Sequence, residues 1–131
     1  MPKQIAPFLM FTGQAEQAMT FYTSLFDDGR IVDVALVGAE GPGAAGTVQF
    51  ARFTLAGQEI LCTDSPAVDD FTSTPSFSLW IETESEEELH RLFDDHGTGG
   101  TELMPLGDHG FSRRFGWVND RFGVSWQLNL R

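Results

Sequence analysis

The segment at residues 115–129 constrains the fold most, because it contains a turn followed by a strand in which apolar and polar residues alternate strictly. Residues 119–123, Asn-Asp-Arg-Phe-Gly, have the composition of a tight turn between two strands. After the turn, alternate side chains are apolar and polar, which is the pattern of a strand with two unlike faces. The apolar row is Val124, Trp126, Leu128 and Leu130, and the polar row is Ser125, Gln127, Asn129 and Arg131. The polar row predicts either a solvent-exposed face or the wall of a polar cavity.

Length and charge exclude several classes of protein. The chain has 131 residues, enough for one domain with a sizeable core. Its net charge of -11 disfavours nucleic acids and anionic membranes as partners, because binding phosphate requires clustered Lys and Arg. No segment approaches the roughly 20 apolar residues of a membrane span. The single cysteine, Cys62, lies in an apolar run and predicts a small core residue in a reducing compartment. We therefore expect a cytoplasmic protein without nucleic-acid or membrane partners.

The periodicity predicts the same order of elements twice. In the first half we predict strands at 5–11, 30–37, 48–55 and 58–63 and a helix at 14–26. In the second half we predict strands at 76–81, 101–106, 111–118 and 124–130 and a helix that begins after Ser85 and ends near Gly97. Residues 38–46 and 64–75 are connections rich in glycine or proline. The two modules, at about 4–64 and 76–131, would make one domain at 1–131.

This order predicts an α+β fold in which two βαβββ modules form a curved mixed β-sheet around a cavity, with the helices outside. The two-residue period of the strands divides their side chains between the two faces. We expect the helix side to hold Phe8, Met10, Phe77, Leu79, Val124, Trp126 and Leu128. We expect the cavity side, a candidate ligand pocket, to hold Leu9, Phe11, Ser76, Ser78, Trp80, Ser125 and Gln127.

The chain resembles the vicinal oxygen chelate superfamily of glyoxalases, bleomycin-resistance proteins and dioxygenases. The resemblance lies in the βαβββ duplication, in residues 13–18 before Phe21-Tyr22, and in Gly57-Gln58-Glu59. Residues 116–127, GWVNDRFGVSWQ, are similar to the closing motif of the PhnB-like branch, the 3-demethylubiquinone-9 3-methyltransferase domain family. The resemblance implies paired modules, frequent dimerisation and, in many members, a divalent metal.

The metal positions implied by this resemblance fall on Pro7, Ser76 and Gln127. Proline has no side-chain donor, serine is a poor neutral ligand and a glutamine oxygen is weaker than a carboxylate. The three histidines, His90, His96 and His109, lack a helical i, i+4 pair. A site for S-adenosylmethionine would need a glycine-rich turn between a strand and a helix, and residues 41–46 and 97–100 do not have that context. We expect no metal and no other cofactor.

Three hypotheses about function follow. The first is a metal-free protein that binds a small organic ligand in the predicted pocket. The alternative is a superfamily enzyme acting on a quinone-like or carbonyl substrate, whose acid-base groups would come from Asp64, Glu59 or His109. The third is a structural or regulatory dimer without a ligand. In each case we expect a homodimer, because an edge strand such as 5–11 would otherwise be exposed.

Overall fold

The computed structural model describes residues 2–38, 46–65, 76–110 and 113–130. The chain divides into two compact units, Met1–Thr72 and Ser73–Arg131. Each unit contains a strand, a helix and three further strands, so the duplicated βαβββ order is confirmed. Most of the two predicted connections, residues 39–45 and 66–75, lies outside the described residues.

The first unit is a four-stranded mixed sheet with one helix. Its elements are β1 (Phe8–Phe11), α1 (Ala15–Ser24), β2 (Arg30–Leu36), β3 (Val48–Leu55) and β4 (Gln58–Asp64). The strand order is β1-β4-β3-β2, in which β1 is parallel to β4 and the other pairs are antiparallel. The predicted hairpin turn is confirmed, since Ala56 and Gly57 have φ values of 50° and 82°, as a two-residue type I′ turn requires.

Asp64, the last residue of β4, organises the beginning of α1. The helix has Gln14 at its N-cap position, and that side chain makes no capping hydrogen bond. Instead Asp64 Oδ1 accepts hydrogen bonds from the backbone N–H groups of Gly13 and Ala15, each at 2.9 Å. Its other oxygen accepts from Val48 N at 2.9 Å. A carboxylate from a distant strand therefore satisfies helix donors that a local cap would normally satisfy.

One face of the first sheet packs against α1. Tyr22 of α1 stacks on Phe53 of β3 with ring centroids 6.1 Å apart, and both side chains are buried. Cys62 of β4 shares this face and is buried, which confirms its predicted place in the core. Leu9 is the register partner of Cys62, so Leu9 and Phe11 are buried on the helix side.

The predicted orientation of β1 is therefore wrong. Phe8 and Met10 lie on the face away from α1, where the Phe8 ring is 6.1 Å from that of Phe50. Residues 8–11 are all apolar, so they contain no alternation that could reveal which face is buried. Pairing with β4 decides the orientation, and a shift of one residue exchanges the two faces. Leu9 and Phe11 consequently leave the set of pocket candidates.

The second unit has the same architecture. Its elements are β5 (Ser78–Glu82), α2 (Glu86–Gly97), β6 (Thr101–Gly107), β7 (Arg114–Asn119) and β8 (Ser125–Leu130). The strand order is β5-β8-β7-β6, with β5 parallel to β8 and the other pairs antiparallel. The predicted N-cap of α2 is confirmed, because Ser85 Oγ accepts a hydrogen bond from Glu88 N at 3.1 Å.

The helix α2 packs on the apolar row of β8 and on its neighbours. The ring centroids of His96 and Trp126 are 4.5 Å apart, and both side chains are buried. Leu79 and Leu128 belong to the same face by register, as expected from the alternation of β8. Gly116 of β7 lies under α2, because a Cβ there would overlap the ring of Phe93. The helix side of the second sheet is thus the side that the sequence predicted, except at Phe77, which precedes β5 and is 60% exposed instead of packed against α2.

No helix in the described ranges combines the length and apolar character needed to cross a membrane.

Candidate functional site

The face of the second sheet that points away from α2, called the far face below, carries polar and aromatic side chains from three strands. Register places on it Ser78, Trp80 and Glu82 of β5, Ser125, Gln127 and Asn129 of β8, and Phe115 and Trp117 of β7. These residues come from three neighbouring strands, so their side chains are adjacent across the sheet. The far face is therefore a continuous surface of hydroxyl, amide, carboxylate and aromatic groups.

Four of these side chains form one chain of hydrogen bonds. Gln127 Nε2 donates to Ser78 Oγ at 3.1 Å, and the Ser78 and Ser125 hydroxyl oxygens are 2.7 Å apart. Trp117 Nε1 donates to Ser125 Oγ at 2.7 Å. Such a network restricts the rotamers of all four side chains before any ligand arrives. Because Gln127 donates through its nitrogen, its amide oxygen is oriented in a different direction and can accept.

An aromatic pair adjoins this network. The Trp80 and Phe115 rings have centroids 5.7 Å apart and an interplanar angle of 32°. Phe115 is buried, whereas Trp80 is 51% exposed. His109 meets Phe115 edge-on at 5.9 Å, and its Nε2 lies 2.9 Å from the Pro105 carbonyl oxygen. The buried ring supports the exposed one, which leaves a flat apolar surface available on Trp80.

A carboxylate and an amide complete the far face. Glu82 Oε1 accepts a hydrogen bond from Trp80 Nε1 at 3.2 Å, and Glu82 Oε2 accepts from Asn129 Nδ2 at 2.9 Å. A carboxylate can only accept, so the nitrogen of the Asn129 amide must face Glu82. The Asn129 Oδ1 atom is buried and accepts no hydrogen bond among the described residues.

The structure thus brings together four of the predicted pocket residues, Ser78, Trp80, Ser125 and Gln127, on one face. Ser76 is exposed and precedes β5, outside the paired part of the sheet. The far face also holds four residues that the sequence did not predict for the pocket: Phe115, Trp117, Glu82 and Asn129. Alternation along β7 would have placed Phe115 and Trp117 on one face, but only the register with β8 shows that this is the far face.

Two of the predicted acid-base groups make structural contacts in the first unit. Asp64 accepts the three backbone hydrogen bonds described above. Glu59 Oε1 lies 3.4 Å from Arg52 Nη1 and accepts a hydrogen bond from Gln4 Nε2 at 3.2 Å. Arg52 Nε also lies 3.8 Å from Asp33 Oδ2, and Arg52 Cζ lies 5.4 Å from the centroid of the Phe50 ring. Glu59, Arg52 and Gln4 line a polar concavity of about 530 Å³ together with Lys3.

Two buried groups have altered acid-base properties. Burial raises the pKa of the Cys62 thiol to about 12, and the negative charge of Asp64 acts in the same direction. Burial lowers the pKa of the His96 imidazole, against the opposing effects of the Leu92 carbonyl and Asp120. His96 Nδ1 lies 2.6 Å from the Leu92 carbonyl oxygen, so the Nδ1–H form is the one that makes this hydrogen bond. Both side chains are core groups rather than reactive ones.

The residues at the metal positions implied by the superfamily do not fit a divalent ion. Pro7 has no side-chain donor, Ser76 offers only a neutral hydroxyl, and Gln127 offers only a neutral amide oxygen, which is a weaker ligand than a carboxylate. Within the described ranges, no three His, Cys, Asp or Glu side chains converge on a point that could hold a metal ion.

Glycine-rich residues 97–100 also do not form a cofactor-binding turn. They follow α2 and lead into β6, and Gly99 has a φ of 76° in the turn between these elements. Helix N–H groups are presented to a phosphate or nucleotide where a strand is followed by a helix. Residues 97–100 have the opposite order, because a helix precedes them and a strand follows them. This agrees with the interpretation of these residues as a helix end and a loop.

The fold is shared with several solved structures. A solved domain from Frankia sp. EAN1pec, described as a glyoxylase/bleomycin resistance protein/dioxygenase domain, superposes with a TM-score of 0.66 at 18% identity, over 99% of this chain and 98% of that chain. A PhnB protein from Bacillus cereus superposes with a TM-score of 0.94 at 51% identity, over 98% of this chain and 100% of that chain. Protein PA1353 from Pseudomonas aeruginosa has a TM-score of 0.83 at 27% identity, with coverage of 99% and 98%.

The family is narrower than the fold. A family model for 3-demethylubiquinone-9 3-methyltransferase matches residues 3–129. The chain therefore belongs to this PhnB-like family, as the closing motif indicated, and it shares its fold with the glyoxylase/bleomycin resistance protein/dioxygenase domain.

Proposed function

We propose that this protein binds a small organic molecule on the far face of the second sheet and does so without a metal. The observation that carries the proposal is the chain of hydrogen bonds from Gln127 through Ser78 and Ser125 to Trp117 beside the exposed Trp80 ring. A planar ligand would stack on Trp80, and the polar network would orient its heteroatoms. Four residues that the sequence predicted for a pocket take part in this arrangement.

The solvent exposure of Trp80 supports a binding role. The half-exposed indole of Trp80 on β5, an edge strand, leaves apolar surface in water, and covering that surface with a ligand is favourable. The neighbouring polar groups are already held by one another, so binding would cost them little conformational freedom. Catalysis has weaker support, because Asp64 and Glu59 are engaged in contacts that stabilise the first unit.

Isothermal titration calorimetry with substituted phenols, naphthols and quinones tests the proposal. We expect saturable binding by wild type and a loss of about 2- to 12-fold in Trp80→Ala, since stacking on an aromatic ring contributes on the order of 0.5–1.5 kcal/mol. Phe77→Ala is the matched control, because Phe77 is a similarly exposed aromatic side chain just before β5. If Trp80→Ala binds every ligand as well as wild type does, the far face is not the binding site.

Metal analysis of protein purified without chelators tests the second half of the proposal. We expect less than stoichiometric Zn, Mn, Fe and Ni, and ligand affinity unchanged after dialysis against EDTA. The donor chemistry at Pro7 and Gln127 supports this expectation. Stoichiometric metal, or binding lost on chelation, would overturn it.

We also propose that the protein forms a homodimer through β2. This strand is at the edge of the first sheet, all seven of its residues are exposed, and Ile31, Val32, Val34 and Leu36 are large apolar residues. An exposed, β-branched edge strand is a template for pairing with a second copy. Light scattering should give twice the chain mass for wild type and for Gln17→Lys on exposed α1, but a monomer for Val32→Lys. A wild-type monomer at micromolar concentration would contradict the proposal.

A cytoplasmic location stays a prediction from the sequence.

A further inference from the structure

We propose that the ligand of the far face is an organic cation that carries N–H groups, such as a protonated amine, an amidinium or a guanidinium attached to an apolar group. This inference rests on the proposed binding function and names its ligand class. It is carried by three groups at one end of the far face: the Glu82 carboxylate, the exposed Trp80 ring and the buried Asn129 amide.

The first step concerns the position of the carboxylate. Glu82 Oε1 is held 3.2 Å from the indole nitrogen of Trp80, so negative charge lies at the edge of the ring that is exposed. The indole nitrogen and the Asn129 amide fix both carboxylate oxygens with neutral donors. Each carboxylate oxygen can accept more than one hydrogen bond. A cation placed beside this ring would therefore meet a preoriented carboxylate.

The second step concerns the ring itself. Trp is the side chain that attracts cations most strongly through its π face, and the Phe115 ring 5.7 Å away supports it from one side. A flat cation on the exposed side of Trp80 would gain the cation–π attraction and the ion pair with Glu82 together. An anionic ligand in the same position would be repelled by Glu82, and the net charge of -11 adds to that repulsion.

The third step concerns the buried amide. Asn129 is 3% exposed, and its Oδ1 atom lacks a donor among the described residues. A buried acceptor without a donor leaves its partial negative charge unbalanced, and a positive charge bound beside Glu82 would offset that charge without contacting the buried atom. The same amide holds Glu82 through its nitrogen, so the acceptor and the carboxylate belong to one rigid group. Both favour a positively charged ligand.

Three nearly isosteric probes separate charge from shape: benzamidine is cationic, benzamide is neutral and benzoate is anionic. NMR chemical-shift titration should show benzamidine binding to wild type about tenfold more tightly than benzamide, and benzoate more weakly than either. In Glu82→Gln this preference should fall several-fold, to what the cation–π attraction of the Trp80 ring alone provides, with the benzamide affinity retained. Glu84→Gln is the matched control, since it removes an equal charge from an exposed site nearby and should keep the preference.

The outcomes distinguish this inference from the proposed function. If benzamide and benzoate bind as tightly as benzamidine and all three are lost in Trp80→Ala, the far face binds small molecules but does not select cations. If Glu82→Gln and Glu84→Gln lower benzamidine affinity equally, the preference comes from total charge and the assignment to Glu82 is wrong. If none of the probes and none of the phenols, naphthols and quinones binds, the proposed function fails as well.

Discussion

Asp120 and Trp126 are joined by a buried hydrogen bond, in which Trp126 Nε1 donates to Asp120 Oδ2 at 2.8 Å. The other carboxylate oxygen, Oδ1, accepts from the backbone N–H groups of Phe122 and Val124 at 2.8 and 3.0 Å. One carboxylate therefore closes the turn before β8 and holds the indole on which His96 of α2 packs. The turn and the helix layer of the second unit depend on the same side chain.

Replacing Asp120 with Asn should lower the free energy of unfolding by about 2–3 kcal/mol. An amide has only one acceptor atom, so at least one buried donor loses its partner, and hydrogen bonds to a charged group are the stronger ones. Urea denaturation followed by tryptophan fluorescence measures the change. Asp27→Asn, at an exposed position in the other unit, should change stability by less than 0.5 kcal/mol, as is usual at surface sites. Equal effects of the two substitutions would show that the Asp120 contacts do not stabilise the fold.

Asp64→Ala should also destabilise the protein by about 2–3 kcal/mol, because three backbone N–H groups lose their acceptor. Asp28→Ala provides a graded comparison, since Asp28 accepts a single hydrogen bond, from Ala56 N at 2.8 Å, and should cost about 1 kcal/mol. Chemical denaturation of both variants measures the two losses of unfolding free energy, which can then be compared. A loss for Asp64→Ala no larger than that for Asp28→Ala would rule out its role in holding the beginning of α1.

His96 should make stability fall at acid pH. Its folded-state pKa lies below the unfolded value of 6.5, chiefly because of burial. The folded state therefore favours the neutral ring, and the resulting stability is fully present above pH 6.5 and is lost as pH falls through the folded pKa. The charges of Asp120 and Asp95 raise the pKa and that of Arg91 lowers it, so they modulate this loss. The loss should be measurable as a drop in unfolding free energy between pH 7 and pH 5.

The variant His96→Phe isolates this effect, because acidic side chains titrate in the same range. The drop in unfolding free energy should be smaller in His96→Phe than in wild type. His90→Gln removes a histidine at an exposed position of α2 and should retain the wild-type pH profile. Identical pH profiles for wild type and His96→Phe would exclude His96 as the source.

Gly116→Ala should destabilise the second unit by about 1–3 kcal/mol through overpacking. A Cβ at this position would overlap the Phe93 ring and lie 2.8 Å from Leu106 Cδ2. Phe93→Leu should recover part of the loss in the double variant, which a double-mutant cycle by urea denaturation would show. Gly38→Ala is the control, since no atom lies within 4 Å of its added Cβ. Strictly additive effects of Gly116→Ala and Phe93→Leu would contradict the contact.

Cys62 should not react with a thiol reagent such as DTNB in the folded protein at pH 8. The thiolate is the reactive form, and a pKa of about 12 leaves only about one thiolate in ten thousand thiols at this pH. The thiol is also inaccessible, being buried between β1 and β3 on the helix side of the sheet. Complete labelling should require denaturant, and rapid stoichiometric labelling of native protein would contradict the burial.

Local chemistry was sufficient to predict the elements. Ser85 and Glu88 mark the beginning of α2 because a hydroxyl can reach a backbone N–H three residues ahead in any helix. Ala56-Gly57 marks a turn because its backbone must adopt positive φ values. The alternation in β8 identified the face that packs on α2, since one row was apolar and the other polar. The fold class and the family motif follow from signals of this short range.

The site depended on pairing between strands. The face of β1 could not be deduced from four consecutive apolar residues, and only its register with Cys62 placed Leu9 and Phe11 under α1. Trp117 and Ser125 meet because β7 pairs with β8, and Glu82 meets Asn129 because β5 pairs with β8.

The sequence by itself therefore determined which segments form helices and strands, the turns between them and the family to which the chain belongs. The tertiary structure alone decided which polar groups meet. Asp64 reaches Gly13 across 51 positions of the chain, and Asn129 reaches Glu82 across 47. Contacts at such separations depend on register between strands, and a shift of one residue would send every side chain to the opposite face.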